Sequence, residues 1–248
     1  MKPSISVVTV TLNAAKSLPG LIASLRNQTE TNFEYVVIDG ASKDGTQDII
    51  ASASDIVTYT ISEPDRGFFD ALNKAIRAVK TDFYVVMGAD DLLEFDAIAN
   101  FKAVAEREGA DVVIADVKAG NKVRRGYYPK RRWLGPARMI TSHSVGTYMR
   151  TSLHDKFGSY SWRFPLLADI FYVKRLCLSP DVKVVAGNFL SGEFAMEGFS
   201  NNTNNFVRIL CEYWLVQRET GENPFLQYLL FQFRVLRYLP RVIADSRK

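Results

Sequence analysis

Short apolar runs alternate with amphipathic segments through the first half of the chain, and this alternation constrains the fold more than any other feature. The runs are rich in β-branched and aromatic residues, which favour buried strands. They cover residues 5–10, 33–38, 56–61, 83–87 and 111–117. The segments between them carry apolar residues at helical spacing, most clearly from Phe68 to Val79. This order predicts βαβ units, and therefore an α/β fold with a mostly parallel sheet flanked by helices.

The pattern changes after Val117. Lys118–Arg138 is basic and has no clear periodicity, which predicts a loop or a short hairpin. From Asn204 onward the tail is helical in character, with interruptions predicted at Pro224 and Pro240. We therefore expect three parts: a regularly alternating α/β half at residues 1–117, a less regular half at 118–203 and a C-terminal helical extension at 204–248.

Composition limits the function classes. Hydrophobic residues make up 47% and charged residues 23% of the chain, as in an ordinary soluble protein, and no run of eighteen apolar residues predicts a membrane span. The net charge of +4 suits anionic partners such as nucleotide phosphates, anionic lipid or nucleic acid. Cys177 and Cys211 are far apart, which favours reduced, buried thiols and a cytoplasmic location over a disulfide.

Two adjacent carboxylates, Asp90 and Asp91, follow the apolar run Phe83–Met87. In open α/β sheets, ligands bind at the carboxyl ends of the strands. Adjacent carboxylates repel each other unless they share a cation, and a divalent metal that also carries a phosphate fits this requirement. The alternative is structural, because Asp91 could cap a following helix.

Four segments in order resemble the family 2 glycosyltransferases. They are Val7–Asn13, Val36–Thr46, Ser62–Gly67 and Gly88–Asp91. The segment Asp65–Lys74 is similar to the bacterial exopolysaccharide and colanic-acid type. The resemblance runs from about Ile5 to about Ser200 and implies a GT-A fold, in which a nucleotide-sugar donor lies over the carboxyl ends of a Rossmann-like sheet. It implies one GT-A domain at residues 1–203, with a nucleotide-sugar-binding half at 1–117 and an acceptor half at 118–203.

The resemblance implies a set of donor-binding residues at these strand ends. They are Thr9, Thr11, Asn13, Asp39, Asp65, Arg66 and Asp90. It places Asp39 on the nucleotide base and Asp65 and Arg66 near the base or the diphosphate. Helix capping by the Thr and Asn residues, and an Asp39-Gly40 turn, are the structural alternatives.

The resemblance also assigns Mn²⁺ or Mg²⁺ to Asp90 and Asp91, where the ion would contact the donor diphosphate. Gly88 stands where the first aspartate of the family motif usually lies, so the resemblance leaves open which carboxylate binds the ion. Further on, Asp169 corresponds to an aspartate that opens a helix and takes the proton from the acceptor hydroxyl. Asp169 could instead be only a helix cap. The role of His143 is left open between acceptor contact, metal ligand and structure.

The implied activity is that of a hexosyl- or N-acetylhexosaminyltransferase in cell-surface polysaccharide synthesis, acting by a single displacement with inversion. The implied acceptor is a saccharide, carried on a polyprenyl diphosphate at the inner face of the cell membrane, and no nucleic-acid partner is expected. The alternatives are a non-catalytic sugar-nucleotide-binding subunit and a sugar nucleotidyltransferase. The latter is disfavoured because no Gly-rich loop with a basic residue follows the first strand.

An apolar stripe runs from Phe225 to Leu236 and is interleaved with Arg234 and Arg237. A basic amphipathic helix of this kind is typical of peripheral membrane contact. Packing against the domain, or against a second copy in a homodimer, would produce the same pattern.

Overall fold

The computed structural model describes residues 3–140, 143–195 and 206–245, which form one curled sheet with helices on both faces. The strands are β1 (Ile5–Thr11), β2 (Glu34–Asp39), β3 (Val57–Ser62), β4 (Phe83–Met87), β5 (Leu92–Leu93), β6 (Val112–Ala119), β7 (Lys122–Arg124), β8 (Thr147–Arg150) and β9 (Val184–Glu193). The α-helices are α1 (Leu18–Arg26), α2 (Thr46–Ser52), α3 (Phe68–Ala78), α4 (Ala97–Glu108), α5 (Pro136–Met139), α6 (Leu153–Phe157), α7 (Ala168–Leu178), α8 (Phe206–Glu219) and α9 (Pro224–Asp245).

The sheet order is β3-β2-β1-β4-β8-β6-β9-β5, with β7 paired to β6. Strands β1 to β4 are mutually parallel, as the alternation predicts, and β8 lies antiparallel between β4 and β6. In register, Thr11 of β1 lies opposite Asp39 of β2, and Thr9 lies opposite Met87 of β4. The polar residues that follow these strands therefore share one edge of the sheet.

Both faces of the parallel part are covered, which explains why its strands read as continuous apolar runs. On one face, Val7, Val37 and Val85 pack with residues of α1 and α4; on the other, Val8, Ile38 and Val86 pack with α3 and α7. Val216 of α8 is fully buried in the second cluster. The C-terminal extension therefore shares the core of the preceding residues, although its predicted boundary at residue 203 lies outside the described residues.

The sequence prediction differs from the structure in two places in the C-terminal part. Pro224 starts α9, where a missing N–H costs nothing, but the predicted break at Pro240 is wrong because the helix continues to Asp245. The prediction of two buried thiols is also wrong for Cys211, which is exposed, and both cysteines are free. Among the described residues, no helix has both the length and the apolar content that crossing a membrane requires.

The buried carboxylate of Asp39 joins the ends of three strands. Its Oδ1 accepts hydrogen bonds from the hydroxyls of Thr11 (2.9 Å) and Ser42 (2.5 Å). Its Oδ2 accepts from the Ser42 N–H (3.0 Å) and the Ser62 hydroxyl (2.6 Å). A carboxylate offers about four lone-pair positions, so protein donors fill the acceptor capacity of Asp39. Burial opposes its ionisation, but these hydrogen bonds outweigh burial and lower the pKa of Asp39.

The loops after β1 and β2 are joined to each other by further hydrogen bonds. Ser42 Oγ accepts from the Asn13 N–H (2.8 Å), and Asn13 Oδ1 accepts from the Lys43 N–H (3.0 Å). One turn on, Thr46 Oγ1 accepts from the Ala14 N–H (2.9 Å). Asn13 has φ of 53°, a left-handed conformation that asparagine tolerates and that these bonds stabilise. The two loops therefore form a single rigid floor beside the sheet edge.

We predict that Asp39→Asn destabilises the protein by about 3 kcal/mol at pH 7, because the amide nitrogen cannot accept the bonds that one carboxylate oxygen accepts. The measurement is urea unfolding, with Asp48→Asn on the exposed side of α2 as the control. Because the folded pKa of Asp39 is lowered, its stabilising contribution is present above the unfolded value of about 3.9 and declines as the pH falls below it. Equal midpoints for Asp39→Asn and the parent protein at pH 7 would contradict the assignment.

Candidate active site

Three loops meet above the carboxyl ends of the parallel strands. The Gly40 N–H donates to the Thr11 carbonyl at 2.8 Å, and Asp65 Oδ2 lies 3.2 Å from the position that a Cβ on Gly40 would occupy. A side chain at residue 40 would therefore press on Asp65. The loops that follow β1, β2 and β3 are in contact here, which brings Asn13 and Asp65 to the same edge.

Lys74 of α3 holds Asp65 in place. Its Nζ lies 2.6 Å from Asp65 Oδ1 and 2.7 Å from Glu63 Oε1, and these partners raise the pKa of Lys74 to about 12. The Lys74 side chain is only 17% exposed, so it does not lie on a solvated helix face. Arg66 is exposed, and among the described residues no carboxylate lies within ion-pair distance of its guanidinium.

Asp90 and Asp91 converge on one point beside Gly88. Asp90 Oδ1 lies 2.8 Å and Asp91 Oδ2 lies 2.9 Å from the position of a Cβ on Gly88. A side chain at residue 88 would displace both carboxylates, so glycine at this position leaves a small space with two anionic oxygens on its border. Asp91 Oδ2 also accepts from the Gly88 N–H (2.6 Å), and Oδ1 accepts from the Ala195 N–H (3.2 Å).

Asp91 carries a poorly compensated negative charge. It is 2% exposed, and burial raises its pKa to about 7, with a further rise from the charge of Asp90. The two backbone N–H groups that it accepts from oppose this rise without cancelling it. A cation beside the pair would remove the penalty, because it favours the ionised form of both carboxylates.

His143 lies beside Asp91 and within electrostatic reach of Asp90 and Asp169. Its Nδ1 is 3.9 Å from Asp91 Oδ2, and its ring stacks on Phe194 with centroids 4.8 Å apart. Burial lowers the pKa of His143, whereas the carboxylates of Asp169 and Asp90 oppose that change. The three roles that the sequence leaves open for His143 stay predictions, and the structure adds that its ring lies beside Asp91.

Asp169 lies in the first turn of α7 and is half-buried. Burial raises the pKa of its carboxyl, although the Ile170 N–H and His143 both favour the ionised form. Just before it, the N–H groups of Leu166 and Leu167 donate to Glu212 Oε2 at 3.0 and 3.1 Å. Glu212 belongs to α8, so the C-terminal extension holds the start of the helix that carries Asp169.

The predicted donor residues do not all reach this edge. Thr9 is fully buried and Thr11 is bonded to Asp39, so neither hydroxyl lines the cleft, and Asp39 itself is fully buried. The proposal that these three side chains contact the donor therefore finds no support in their positions, which suit a structural role. Asn13 and Arg66 are exposed, while Asp65 and Asp90 lie at the sheet edge.

Two residues of the site, Arg124 and Glu212, were not predicted to act there. Arg124 of the basic segment has its guanidinium 5.0 Å from the Phe194 ring and acts electrostatically on His143. Phe194 supports the His143 ring, and Glu212 comes from the distant helix α8. A cluster of basic residues was visible in the sequence, but no local signal distinguishes Arg124 from its neighbours. Within the described residues, no group of three or more His, Cys, Asp or Glu side chains could hold a metal by itself.

Comparison with known proteins gives a consistent result. The model of the family described as glycosyl transferase family 2 matches residues 6–171. A PGL/p-HBAD biosynthesis glycosyltransferase of Mycobacterium tuberculosis is 32% identical over an alignment of 178 residues. The alignment covers 67% of this chain and 67% of that protein.

Solved structures share the fold at low identity. The mannosyltransferase PcManGT of Pyrobaculum calidifontis, in complex with GDP-Man and Mn²⁺, has a TM-score of 0.69 and 18% identity, over 96% of this chain and 70% of that chain. S. aureus TarS 1–349 in complex with UDP-GlcNAc has a TM-score of 0.64 and 17% identity, over 96% and 73%. The order of strand-end motifs, the GT-A architecture and the family match agree: the chain is a glycosyltransferase and belongs to glycosyl transferase family 2.

Proposed function

We propose that the protein transfers a sugar from a nucleoside-diphosphate sugar to a hydroxyl of a saccharide acceptor, with inversion, in cell-surface polysaccharide synthesis. The observation that carries the proposal is the convergence of Asp90 and Asp91 beside Gly88, with His143 next to this pair and Asp169 within electrostatic reach of His143. The carboxylate pair suits a divalent cation that also binds the donor phosphates. Asp169 suits the role of proton acceptor.

The donor would lie over the sheet edge, with its nucleotide across the loops that follow β1 and β3. Asn13, Asp65 and Arg66 are the polar side chains available there, and the exposed guanidinium of Arg66 could pair with phosphate oxygens. Asp39 and Thr11 would act by keeping these loops rigid. The proposal gains support from the structural neighbours, which were solved with GDP-Man and with UDP-GlcNAc.

The residues at Gly88 fit a divalent cation of the Mn²⁺ or Mg²⁺ type. Two carboxylate oxygens border the space that a Cβ would fill, and oxygen is the ligand that these ions prefer. Among the described residues, each Asp91 oxygen accepts one hydrogen bond, which leaves a lone pair on each for a further ligand. Asp90 and Asp91 would hold the ion, with donor phosphates as the remaining ligands. When bound, the ion supplies charge stabilisation for the departing nucleoside diphosphate.

Asp169 would accept the proton of the acceptor hydroxyl. Its raised pKa makes it a stronger base than an ordinary aspartate, and the nearby imidazole of His143 favours the ionised form that accepts a proton. Direct displacement with inversion is part of the proposal and follows the family resemblance. A saccharide on a polyprenyl diphosphate is the proposed acceptor.

We predict that a matched nucleotide sugar raises the melting temperature in the presence of Mn²⁺, and that EDTA reduces the rise. At a hundredfold excess over the dissociation constant, the added stability is about 2.7 kcal/mol. Asp90→Asn should lose most of the metal-dependent part, whereas Asp181→Asn, a matched change at an exposed ion pair, should retain it. No metal-dependent shift across a panel of UDP, GDP and dTDP sugars would argue against the proposed donor site.

We predict that Asp169→Asn lowers kcat by a factor of about 10² to 10⁴, because the amide cannot accept the proton, and that donor binding persists. In the parent enzyme, protonation of Asp169 removes the base, so kcat/KM falls as the pH drops through a pKa above that of an ordinary aspartate. That acid limb should be missing in Asp169→Asn. Undiminished transfer by this variant would point to the binding-subunit alternative or to a different base.

We predict that Glu212 is a positioning residue for Asp169. Glu212→Ala leaves the N–H groups of Leu166 and Leu167 without their acceptor and should lower kcat about tenfold, with donor KM unchanged. Glu212→Gln keeps an acceptor oxygen and should restore most of kcat. Because the Glu212 charge raises the pKa of Asp169, the acid limb in Glu212→Gln should move to lower pH. Glu219→Gln on the same helix is the control, and an unmoved acid limb would refute the coupling.

A further inference from the structure

Helix α9 turns its apolar face outward. Five large apolar side chains on it are exposed by 49% to 71%: Phe225, Tyr228, Leu229, Phe233 and Leu236. Their spacing of three, one, four and three residues places them along one face of the helix. A helix that only completed the core would bury this face, so its exposure requires a separate explanation.

Polar side chains hold the opposite face against the domain. Gln227 is 1% exposed and donates to the Trp133 carbonyl at 2.8 Å. Two turns on, Arg234 donates to the Leu134 carbonyl at 2.6 Å. Both carbonyls belong to the 3₁₀ helix Pro129–Leu134, which lies beside α9. These two hydrogen bonds fix the rotation of α9 about its axis, and that rotation directs the apolar face away from the domain.

The surface beside this face is basic. The 3₁₀ helix Pro129–Leu134 carries three cationic side chains and no carboxylate, and α9 has no acid before Asp245. On the 3₁₀ helix, Lys130, Arg131 and Arg132 are exposed, and so is Trp133, by 44%. An exposed apolar helix face next to cations and a Trp is the combination that binds the interface of an anionic bilayer.

We propose that the exposed face of α9, together with the basic 3₁₀ helix, docks the protein onto a bilayer that contains anionic phospholipid. Charge favours this partner over a second copy of the chain, since a dimer through this face would bring two basic borders together. The apolar side chains would enter the acyl boundary, while Lys130 and Arg131 contact headgroup phosphates. This inference rests on α9 and its neighbour and holds whether or not the proposed transfer chemistry is correct.

The test is co-sedimentation of the full chain with vesicles of phosphatidylcholine containing 30% phosphatidylglycerol, with pure phosphatidylcholine vesicles in parallel. We expect binding to the anionic vesicles that weakens with added salt. Phe225→Ser combined with Phe233→Ser should weaken it at least tenfold, and Lys130→Ala with Arg131→Ala should weaken it about fivefold for each cation removed. Phe95→Ser is the matched control, because Phe95 is 61% exposed and Phe233 is 60% exposed.

Light scattering and circular dichroism complete the experiment. All variants should keep the parent's helix content and remain monomeric, so that loss of vesicle binding reports the surface alone. Absence of binding, equal binding to neutral and anionic vesicles, or unchanged binding by the Phe225→Ser, Phe233→Ser variant would overturn the proposal. A dimer that the same double substitution dissociates would also overturn it and would identify the face as a contact between copies. Thermal shifts with nucleotide sugars remain as a separate readout of the proposed transfer.

Discussion

The sheet edge that carries the candidate active site depends on one buried carboxylate. Asp39 ends β2 and accepts hydrogen bonds from Thr11 and Ser62 on the strands to either side, as well as from Ser42 in its own loop. A buried charge is tolerated only when donors surround it, so the strand ends cannot separate without leaving it unpaired. Ser42 extends the same network to Asn13 and fixes the loop after β1. The remaining site residues are placed relative to this floor.

Charge balance explains the rest of the site. Within the described part of the chain, Asp90 and Asp91 form an anionic pair with which no Lys or Arg makes an ion pair, and His143 lies 3.9 Å from Asp91. Asp91 is buried and Asp169 is half-buried, so a cation bound at the pair or a proton transferred to Asp169 would stabilise these carboxylates. Helix α8 takes part in this balance, because Glu212 holds the backbone before Asp169 and adds a negative charge near it. The C-terminal extension thus supports the helix that carries Asp169 in the candidate active site.

Helix α9 shows that tertiary contacts decide whether a periodic apolar stripe is buried or exposed. The stripe from Phe225 to Leu236 predicts one apolar helix face, and periodicity alone cannot say whether the face is buried. Gln227 and Arg234 decide it, since their hydrogen bonds to backbone carbonyls set the helix rotation. Gln227 and Arg234 therefore face the domain, whereas five large apolar side chains of α9 are exposed: Phe225, Tyr228, Leu229, Phe233 and Leu236.

Local pattern determined the architecture: alternating runs predicted the parallel strands, and ordered strand-end motifs predicted the family and the edge where Asp65, Asp90 and Asp91 lie. It could not determine contacts between distant segments. The burial of Thr9, the saturation of Asp39 by its donors, and the support of Asp169 by Glu212 arise only when loops and helices far apart in sequence pack together. Hydrophobic periodicity is a property of neighbouring residues, whereas hydrogen-bond partners and charge neighbours are set by tertiary packing. The sequence thus specified which groups stand at the sheet edge, and the folded structure decided which of them are free to act there.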